Sequence, residues 1–213
     1  MKLLNFIFLH RNWEKDRLKF GRRLRRLVFA ERPFSLVIFP EGTNNSKDAV
    51  EKSDRFATLN HLPAPKHTLV PRVTGMQFAL NTLGEHVGGI FDLTIGYTGV
   101  SPAECPEDTF DLSSLFFHGI APPLIHIHVR YHNIRDVPYG DPAAFQKWLY
   151  DLFQQKDQLM AKFYQDGCFP GAKSRRVALS SKWAMPITII SALASTWALV
   201  ALVAAIIAWY CAR

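Results

Sequence analysis

Glu41, Gly42 and Thr43 stand together directly after an apolar run, in the stretch VIFPEGTNNS. A carboxylate, a glycine and a hydroxyl in this order could bind a polar ligand, because glycine lets a ligand approach the main chain closely. The apolar run predicts a buried strand over 35–39, and Pro40 ends it because proline cannot donate a ladder hydrogen bond. Proteins with α/β sheets commonly bind ligands at this end of a strand. The alternative is a strand-to-helix loop that carries an ordinary solvated glutamate.

A second set of chemically capable residues lies in LIHIHVRY, where His126 and His128 are two residues apart. Strict alternation predicts a strand with both imidazoles on one face. Imidazoles are common metal ligands, but no third ligand accompanies them, so we expect a polar sheet face and no metal site. Cys105, Cys168 and Cys211 are too far apart in sequence for a disulfide framework or a zinc site.

The elements that must position these residues alternate along the chain. Helical spacing predicts helices, which span 16–28, 46–62, 77–83 and about 141–167. Short apolar or alternating runs predict strands, which span 35–39, 68–75, 89–97 and 124–131. Strands interleaved with helices predict an α/β fold, with a largely parallel or mixed sheet flanked by helices.

The charge of the chain points to a phosphate-bearing partner. The formal net charge is +7 over 213 residues, and basic residues cluster in the predicted helix 16–28. Such a basic amphipathic helix favours an anionic membrane surface or a nucleic acid. Nucleic acid is the weaker alternative, since the sequence contains no recognisable binding module or aromatic platform.

The C-terminal region predicts a membrane anchor. No charged residue occurs between Trp183 and Ala212, and an apolar run of about 20 residues is enough to cross a bilayer as a helix. We therefore expect a domain at 1–169, a basic linker at 170–183 and a transmembrane helix at 184–211. Basic residues before the span place the domain in the cytosol, in a single-pass protein of the endoplasmic reticulum or another internal membrane.

Three blocks of sequence resemble the glycerophospholipid acyltransferases, which move a fatty acyl group from acyl-CoA onto a lysophospholipid or glycerol phosphate. FIFLHRNWEKD is similar to the second block of that family, FPEGTNNS to the third and LVPRVTG to the fourth. FDLTIGY and the long segment that begins FQKWLYDLF are similar to the C-terminal region of the lysocardiolipin acyltransferase-like branch. The resemblance covers about Phe6 to Phe169.

The resemblance implies a set of acceptor-binding residues, which comprises Arg11, Glu41, Gly42, Thr43 and Pro71. The guanidinium of Arg11 offers a planar, permanently charged fork for phosphate oxygens. Many family members carry arginine where this chain has Asn44, so we expect Arg11 to supply the charge recognition. The resemblance also implies acyl-CoA as donor substrate, a lysophospholipid or lysophosphatidic acid as acceptor and no tightly bound cofactor.

One block of the family is missing from the printed sequence. In the family an Asn-His-x4-Asp block supplies a general base and the aspartate that orients it. His61 follows Asn60, but Lys66 occupies the position that needs aspartate, and no other histidine has the required spacing. The catalytic pair is therefore expected upstream of Met1, through a truncated gene model or an alternative start. The alternative function is a non-catalytic, membrane-anchored lipid-binding paralogue.

Overall fold

The computed structural model describes residues 7, 12–30, 32–102 and 104–171, which contain six α-helices and two strands. In chain order these are α1 Trp13–Phe29, α2 Lys47–Leu59, α3 Val73–Leu83, β1 Gly89–Tyr97, α4 Pro106–Thr109, α5 Leu112–Phe117, β2 Ile125–Asn133 and α6 Pro142–Asp166. Short 3-10 helices span Gly84–His86 and Ile134–Asp136. The chain divides into the units Met1–Pro170 and Gly171–Arg213, and these elements all belong to the first.

The predicted fold class is wrong for this part of the chain. The described residues are mostly helical, and their one sheet pairs β1 with β2 in antiparallel register, from Gly89 opposite Asn133 to Tyr97 opposite Ile125. No parallel pairing occurs among them. An apolar run indicates that a segment favours an extended conformation, but it does not identify the strand with which that segment pairs.

Two of the predicted strands are not strands in the described structure. Residues 35–39 are extended without ladder pairing, and Val37 and Phe39 are about three-quarters exposed. The side chains that alternate with them pack against α1 and α3, so this segment is buried on one face only. The segment 68–75 fails because Val73 begins α3 and the residues before it form an irregular loop.

Helix α6 begins and ends where the sequence predicts. The side chain of Asp141 accepts hydrogen bonds from the main-chain N–H groups of Ala143 and Ala144, at 2.9 and 3.2 Å. Pro142 occupies the first turn, where its missing N–H is not needed. Gly167 ends the helix with a φ of 71°, in the left-handed region that glycine adopts without steric cost. These caps fix the ends of the helix that carries most of the core.

Helix α3 lies between two hydrophobic clusters. On one side, Met76 and Leu80 pack with the buried stripe of α6, which includes Phe145, Leu149, Leu152 and Phe153. On the other side, Ala79 and Leu83 pack against Phe20 and Leu24 of α1. The opposite surface of α1 exposes its arginines, as expected of a basic amphipathic helix packed on a core.

Within the described part of the chain, none of the helices combines the length and the apolar character needed to cross a bilayer. The predicted membrane span at 184–211 lies outside the described residues, and so does most of the predicted linker at 170–183.

Candidate functional site

The centre of the site is a buried ionic network between the sheet and α6. Asp92 on β1 faces Arg130 on β2, and Arg130 donates to one oxygen of Asp92 through Nη2 and Nε, at 2.7 and 3.0 Å. The Nζ of Lys156 lies 2.5 Å from the other oxygen of Asp92 and 2.6 Å from the carbonyl oxygen of Leu93. Buried charges are tolerated when each is paired and hydrogen-bonded, and this network meets that condition.

The two predicted sheet-face histidines lie beside this network. His126 contacts the ring of Phe163, and His128 contacts that of Phe169. Burial, and then the nearby charge of Arg130, lower the pKa of His128 below its ordinary value. No group of three metal-ligating side chains occurs among the residues that the structure describes. The expectation of no metal site stays a prediction for the whole chain.

The Glu41 turn lies at the end of the extended segment. The N–H of Gly42 donates to the carbonyl oxygen of Phe39 at 3.1 Å, which closes a tight turn. Gly42 has a φ of 71°, so a residue with a side chain would be strained there. Arg72, the residue directly before α3, holds the turn, because its N–H donates to the carbonyl oxygen of Pro40 at 2.7 Å. The side chain of Arg72 also covers Gly42, where an added Cβ would lie 3.3 Å from Cδ.

A cavity of about 210 Å³ opens beside this turn. Its wall combines the Glu41 side chain with residues from β1, α6 and the loop before α3, which include His67, Thr94, Lys156 and Tyr164. Desolvation raises the pKa of Glu41 above 4.5, although its own main-chain hydrogen bond and the charge of Lys156 oppose the shift. Burial likewise raises the pKa of Tyr164. In both groups, burial disfavours the ionised form.

One carboxylate on α6 holds His67 in the cavity wall. The side chain of Asp157 accepts hydrogen bonds from the main-chain N–H groups of Lys66, His67 and Thr68, at 2.6 to 3.1 Å. The hydroxyl of Thr68 donates to the same carboxylate at 3.2 Å. The ring of His67 packs against Tyr164, with centroids 5.1 Å apart. Nδ1 of His67 and Oγ1 of Thr94 are buried and have no hydrogen-bond partner among the described residues.

The structure brings only part of the predicted acceptor set together. Glu41 lines the cavity, while Gly42 and Thr43 form the adjoining turn, where Thr43 donates to Asn44 at 3.2 Å. Pro71 is buried in a separate apolar crevice with Leu69, Tyr150 and Phe153 among others. Arg11 lies outside the described residues. The roles of all five residues stay predictions.

Sequence reasoning missed several residues that line the cavity or lie in the ionic network and the turn beside it. Lys156 had a usable signal, since it interrupts an apolar helical stripe made of Leu149, Leu152, Met160 and Phe163. Asp92 and Arg130 are charged residues inside apolar strands, which is a weaker signal of burial. For Thr94, His67 and Arg72 the sequence contains no comparable signal of their position in the structure.

Comparison with known proteins decides the family. The family described as "Acyltransferase C-terminus" matches residues 116–191. The chain is 31% identical over 202 residues to 2-acyl-1-lysophosphatidylinositol acyltransferase of Saccharomyces cerevisiae, covering 79% of this chain and 51% of that protein. It is 32% identical over 191 residues to 1-acyl-sn-glycerol-3-phosphate acyltransferase 2 of Arabidopsis thaliana, covering 86% and 47%. Lysocardiolipin acyltransferase 1 of Danio rerio is 32% identical over 167 residues, covering 78% and 41%.

The chain belongs to the glycerophospholipid acyltransferase family. The resemblance inferred from the three sequence blocks is therefore confirmed. This acyltransferase-family chain spans about half the length of the curated relatives it matches. No solved structure gave a significant match.

Proposed function

We propose that the protein to which this chain belongs transfers a fatty acyl group from acyl-CoA to a lysophospholipid or to lysophosphatidic acid. The observation that carries the proposal is the cavity beside the Glu41 turn, which is lined by both polar and apolar residues, with Arg72 packed against Gly42 of that turn. The names of the relatives support the same chemistry, since they describe acyl transfer to lysophosphatidylinositol, acylglycerol phosphate and lysocardiolipin.

In this proposal Arg72 and Arg11 bind the phosphate of the acceptor. Arg72 lies against Gly42, where its charge meets a ligand that approaches the turn. A guanidinium binds phosphate through paired hydrogen bonds, which fixes both position and orientation. Glu41 then contacts a hydroxyl of the acceptor from its place in the lining of the cavity.

Transfer requires a base that takes the proton from the acceptor hydroxyl. None of the eight histidines in the printed sequence has aspartate at the family's spacing. A chain without this base can still bind the acceptor, which is the second candidate function, a lipid-binding paralogue without catalysis. Because the 213 residues lack the pair, we expect this chain alone to show no transfer.

The deciding assay measures transfer of labelled acyl groups from acyl-CoA in detergent micelles. It uses the 213-residue chain and the longest product of its gene, with lysophosphatidylinositol, lysophosphatidic acid and lysocardiolipin as acceptors. Turnover by the longer product with at least one acceptor supports the enzyme. Acceptor binding without turnover supports the second function and overturns the first.

Variants of the longer product test the binding roles. We expect Arg72→Ala and Arg11→Ala to raise the KM for the acceptor roughly ten- to a hundredfold, as for a lost charge-assisted hydrogen bond, with little change for acyl-CoA. Arg55→Ala is the matched control, because this arginine is exposed on α2 and pairs with Glu51 one turn away, at 3.4 Å. An unchanged acceptor KM in Arg72→Ala would remove Arg72 from the site.

A further inference from the structure

The segment 66–72 connects α6 to the Glu41 turn. It runs between α2 and α3 without helical structure or ladder pairing, so regular secondary structure supplies no acceptors for its main-chain N–H groups. Donors in such a segment require other partners, because an unpaired N–H that leaves water costs free energy. In this chain the partners are side chains of two helices and a carbonyl oxygen of the turn.

Asp157 on α6 accepts most of these hydrogen bonds. Its Oδ1 accepts from the successive N–H groups of Lys66, His67 and Thr68, at 3.0, 2.6 and 3.0 Å. The hydroxyl of Thr68 donates to the same oxygen at 3.2 Å. Hydrogen bonds to an ionised carboxylate are roughly twice as strong as those to a neutral oxygen. One end of the segment is therefore held firmly against α6.

The other end of the segment holds the turn. The N–H of Val70 donates to the hydroxyl oxygen of Ser53 on α2, at 2.9 Å. The N–H of Arg72 donates to the carbonyl oxygen of Pro40 at 2.7 Å, and the Arg72 side chain packs against Gly42. Because only a short stretch of chain separates these contacts from those of Asp157, a shift at the α6 end should reach the turn.

Asp157 also joins two walls of the cavity. His67 and Thr68, which it holds, line the cavity together with Glu41. Met160 and Tyr164 lie one and two turns after Asp157 on α6, and both line the same cavity. Residues at this spacing share one face of a helix. The carboxylate of Asp157 therefore ties the helical wall to the segment that carries the turn.

We propose that Asp157 is a positioning residue for the acceptor-binding site. Through the segment 66–72 it sets where Arg72 and Glu41 lie, and it acts without touching the acceptor itself. A displacement of about 1 Å caused by a distant substitution can cost about 10²-fold in rate. The inference rests on the proposed function for the identity of the ligand, whereas the link from Asp157 to the turn can be tested without one.

Hydrogen exchange of the full 213-residue chain tests this link. Asp157→Asn keeps the shape of the side chain but replaces the carboxylate with a neutral, weaker acceptor. We expect main-chain amides in 66–72 and in 40–45 to exchange several-fold faster than in the wild type, through local opening. The reporter in the turn is the N–H of Gly42, which donates to Phe39.

Asp141→Asn is the matched control. Asp141 is also a carboxylate of α6 that accepts main-chain hydrogen bonds, from Ala143 and Ala144, but it caps the start of the helix and does not line the cavity. Exchange in 40–45 should stay at the wild-type rate in this variant. Ser53→Ala, which removes the second hold on the segment, should raise exchange in 40–45 as Asp157→Asn does.

Kinetics of the longer product separate positioning from a general loss of stability. In Asp157→Asn the KM for the acceptor should rise roughly 3- to 30-fold, because Arg72 and Glu41 are displaced but not removed, while the KM for acyl-CoA stays unchanged. Ser53→Ala should raise the acceptor KM in the same way. Asp141→Asn should leave both KM values unchanged.

Unchanged exchange in 40–45 in Asp157→Asn, or an equal rise in Asp141→Asn, overturns the inference. An equal rise of the KM for both substrates in Asp157→Asn would also overturn it, since that pattern indicates a structural role alone. If Asp157→Asn does not fold, unchanged exchange in 40–45 in Ser53→Ala overturns the link through the segment. The proposed function fails separately, through absence of acyl transfer by the longer product, which leaves the exchange result standing.

Discussion

In most half-buried sheets the buried face is apolar and the exposed face is polar. The β1–β2 sheet has the reverse arrangement. The face towards α6 is polar and buried, with Asp92 opposite Arg130 and Thr94 opposite His128. The other face is apolar and exposed; it carries Phe91, Leu93, Ile95, Ile127, Val129 and Tyr131, each 42 to 66% accessible. Alternation in a sequence thus identifies the two faces of a strand, but it does not show which face is buried.

The difference follows from what α6 places against the sheet. Lys156 lies on the buried stripe of α6 and supplies the cation that faces Asp92. The charged groups Asp92, Arg130 and Lys156 are therefore paired within the molecule, and loss of one partner leaves a buried charge uncompensated. Side chains on the outer face carry no charge that needs a partner, and each keeps 42 to 66% of its surface accessible. Substitutions on the two faces should therefore differ widely in effect.

The largest effect is expected for Asp92→Asn. The substitution keeps the shape of the side chain but removes the charge that pairs with Arg130 and Lys156. Breaking a buried pair from one side typically lowers the free energy of unfolding by about 3 to 5 kcal/mol. Urea denaturation of the variant and the wild type measures the change.

Asp151→Asn is the matched control for Asp92→Asn. Asp151 pairs with Lys147 on the exposed surface of α6, at 2.6 Å, where such a pair typically contributes about 1 kcal/mol or less. A double variant, Asp92→Asn with Lys156→Met, should recover part of the stability because no unpaired ammonium group remains. Equal effects of Asp92→Asn and Asp151→Asn would show that the inner face is hydrated.

A smaller loss is expected for Gly96→Ala, which tests the packing of the inner face. An added Cβ would lie 2.7 Å from Cζ of Phe163 on α6, closer than real contacts allow. Overpacking of this kind typically lowers the free energy of unfolding by about 1 to 3 kcal/mol. Gly88→Ala is the control, because a Cβ there has no heavy atom within 4 Å. Similar melting curves of the two variants would contradict the close approach of α6 to β1.

Part of this structure follows from the sequence. Strand β1 occupies the predicted 89–97, and the predicted Asp141 and Gly167 signals mark the ends of α6. The parallel sheet was wrong, because the extended residues 35–39 have no ladder partner among the described residues. Pairing is a long-range property that a local apolar pattern does not encode.

The candidate site was predictable to a similar extent. Family resemblance pointed to the Glu41 turn, and Glu41 lines the cavity in the structure, while its role stays a prediction. His67 could not be placed there, because its position depends on the hydrogen bonds that Asp157 accepts across 90 residues of sequence. Thr94 was equally hidden, since a threonine in a strand gives no sign of being unpaired.

A still smaller effect is expected for Glu41→Gln, which tests whether the polar interior extends to the turn. Burial raises the pKa of Glu41 in the folded protein above its ordinary value of 4.5. The folded protein then holds this proton to higher pH than the unfolded chain does. The free energy of unfolding should fall as the pH rises from 4.5 through the raised pKa. The glutamine variant lacks this fall and should be the more stable protein at pH 7.

Urea denaturation between pH 4 and pH 8 measures this difference. Glu85→Gln, which removes an exposed carboxylate from the 3-10 helix, controls for the loss of one negative charge. If the free energy of unfolding depends on pH in the same way in Glu41→Gln and the wild type, the Glu41 carboxyl lies in water and is not part of the polar interior.

The smallest effect is expected on the outer face, for Val129→Thr. Both residues are β-branched and suit a strand, and Val129 is 54% exposed opposite Leu93. An exposed substitution of this kind usually changes the free energy of unfolding by no more than about 0.5 kcal/mol. The same exchange at Val137, which is only 4% exposed, should lower it by about 1 to 3 kcal/mol because a hydroxyl is then buried. If Val129→Thr is as destabilising as Val137→Thr, the outer face is covered in the folded protein in solution, and the contrast between the two faces of the sheet does not hold.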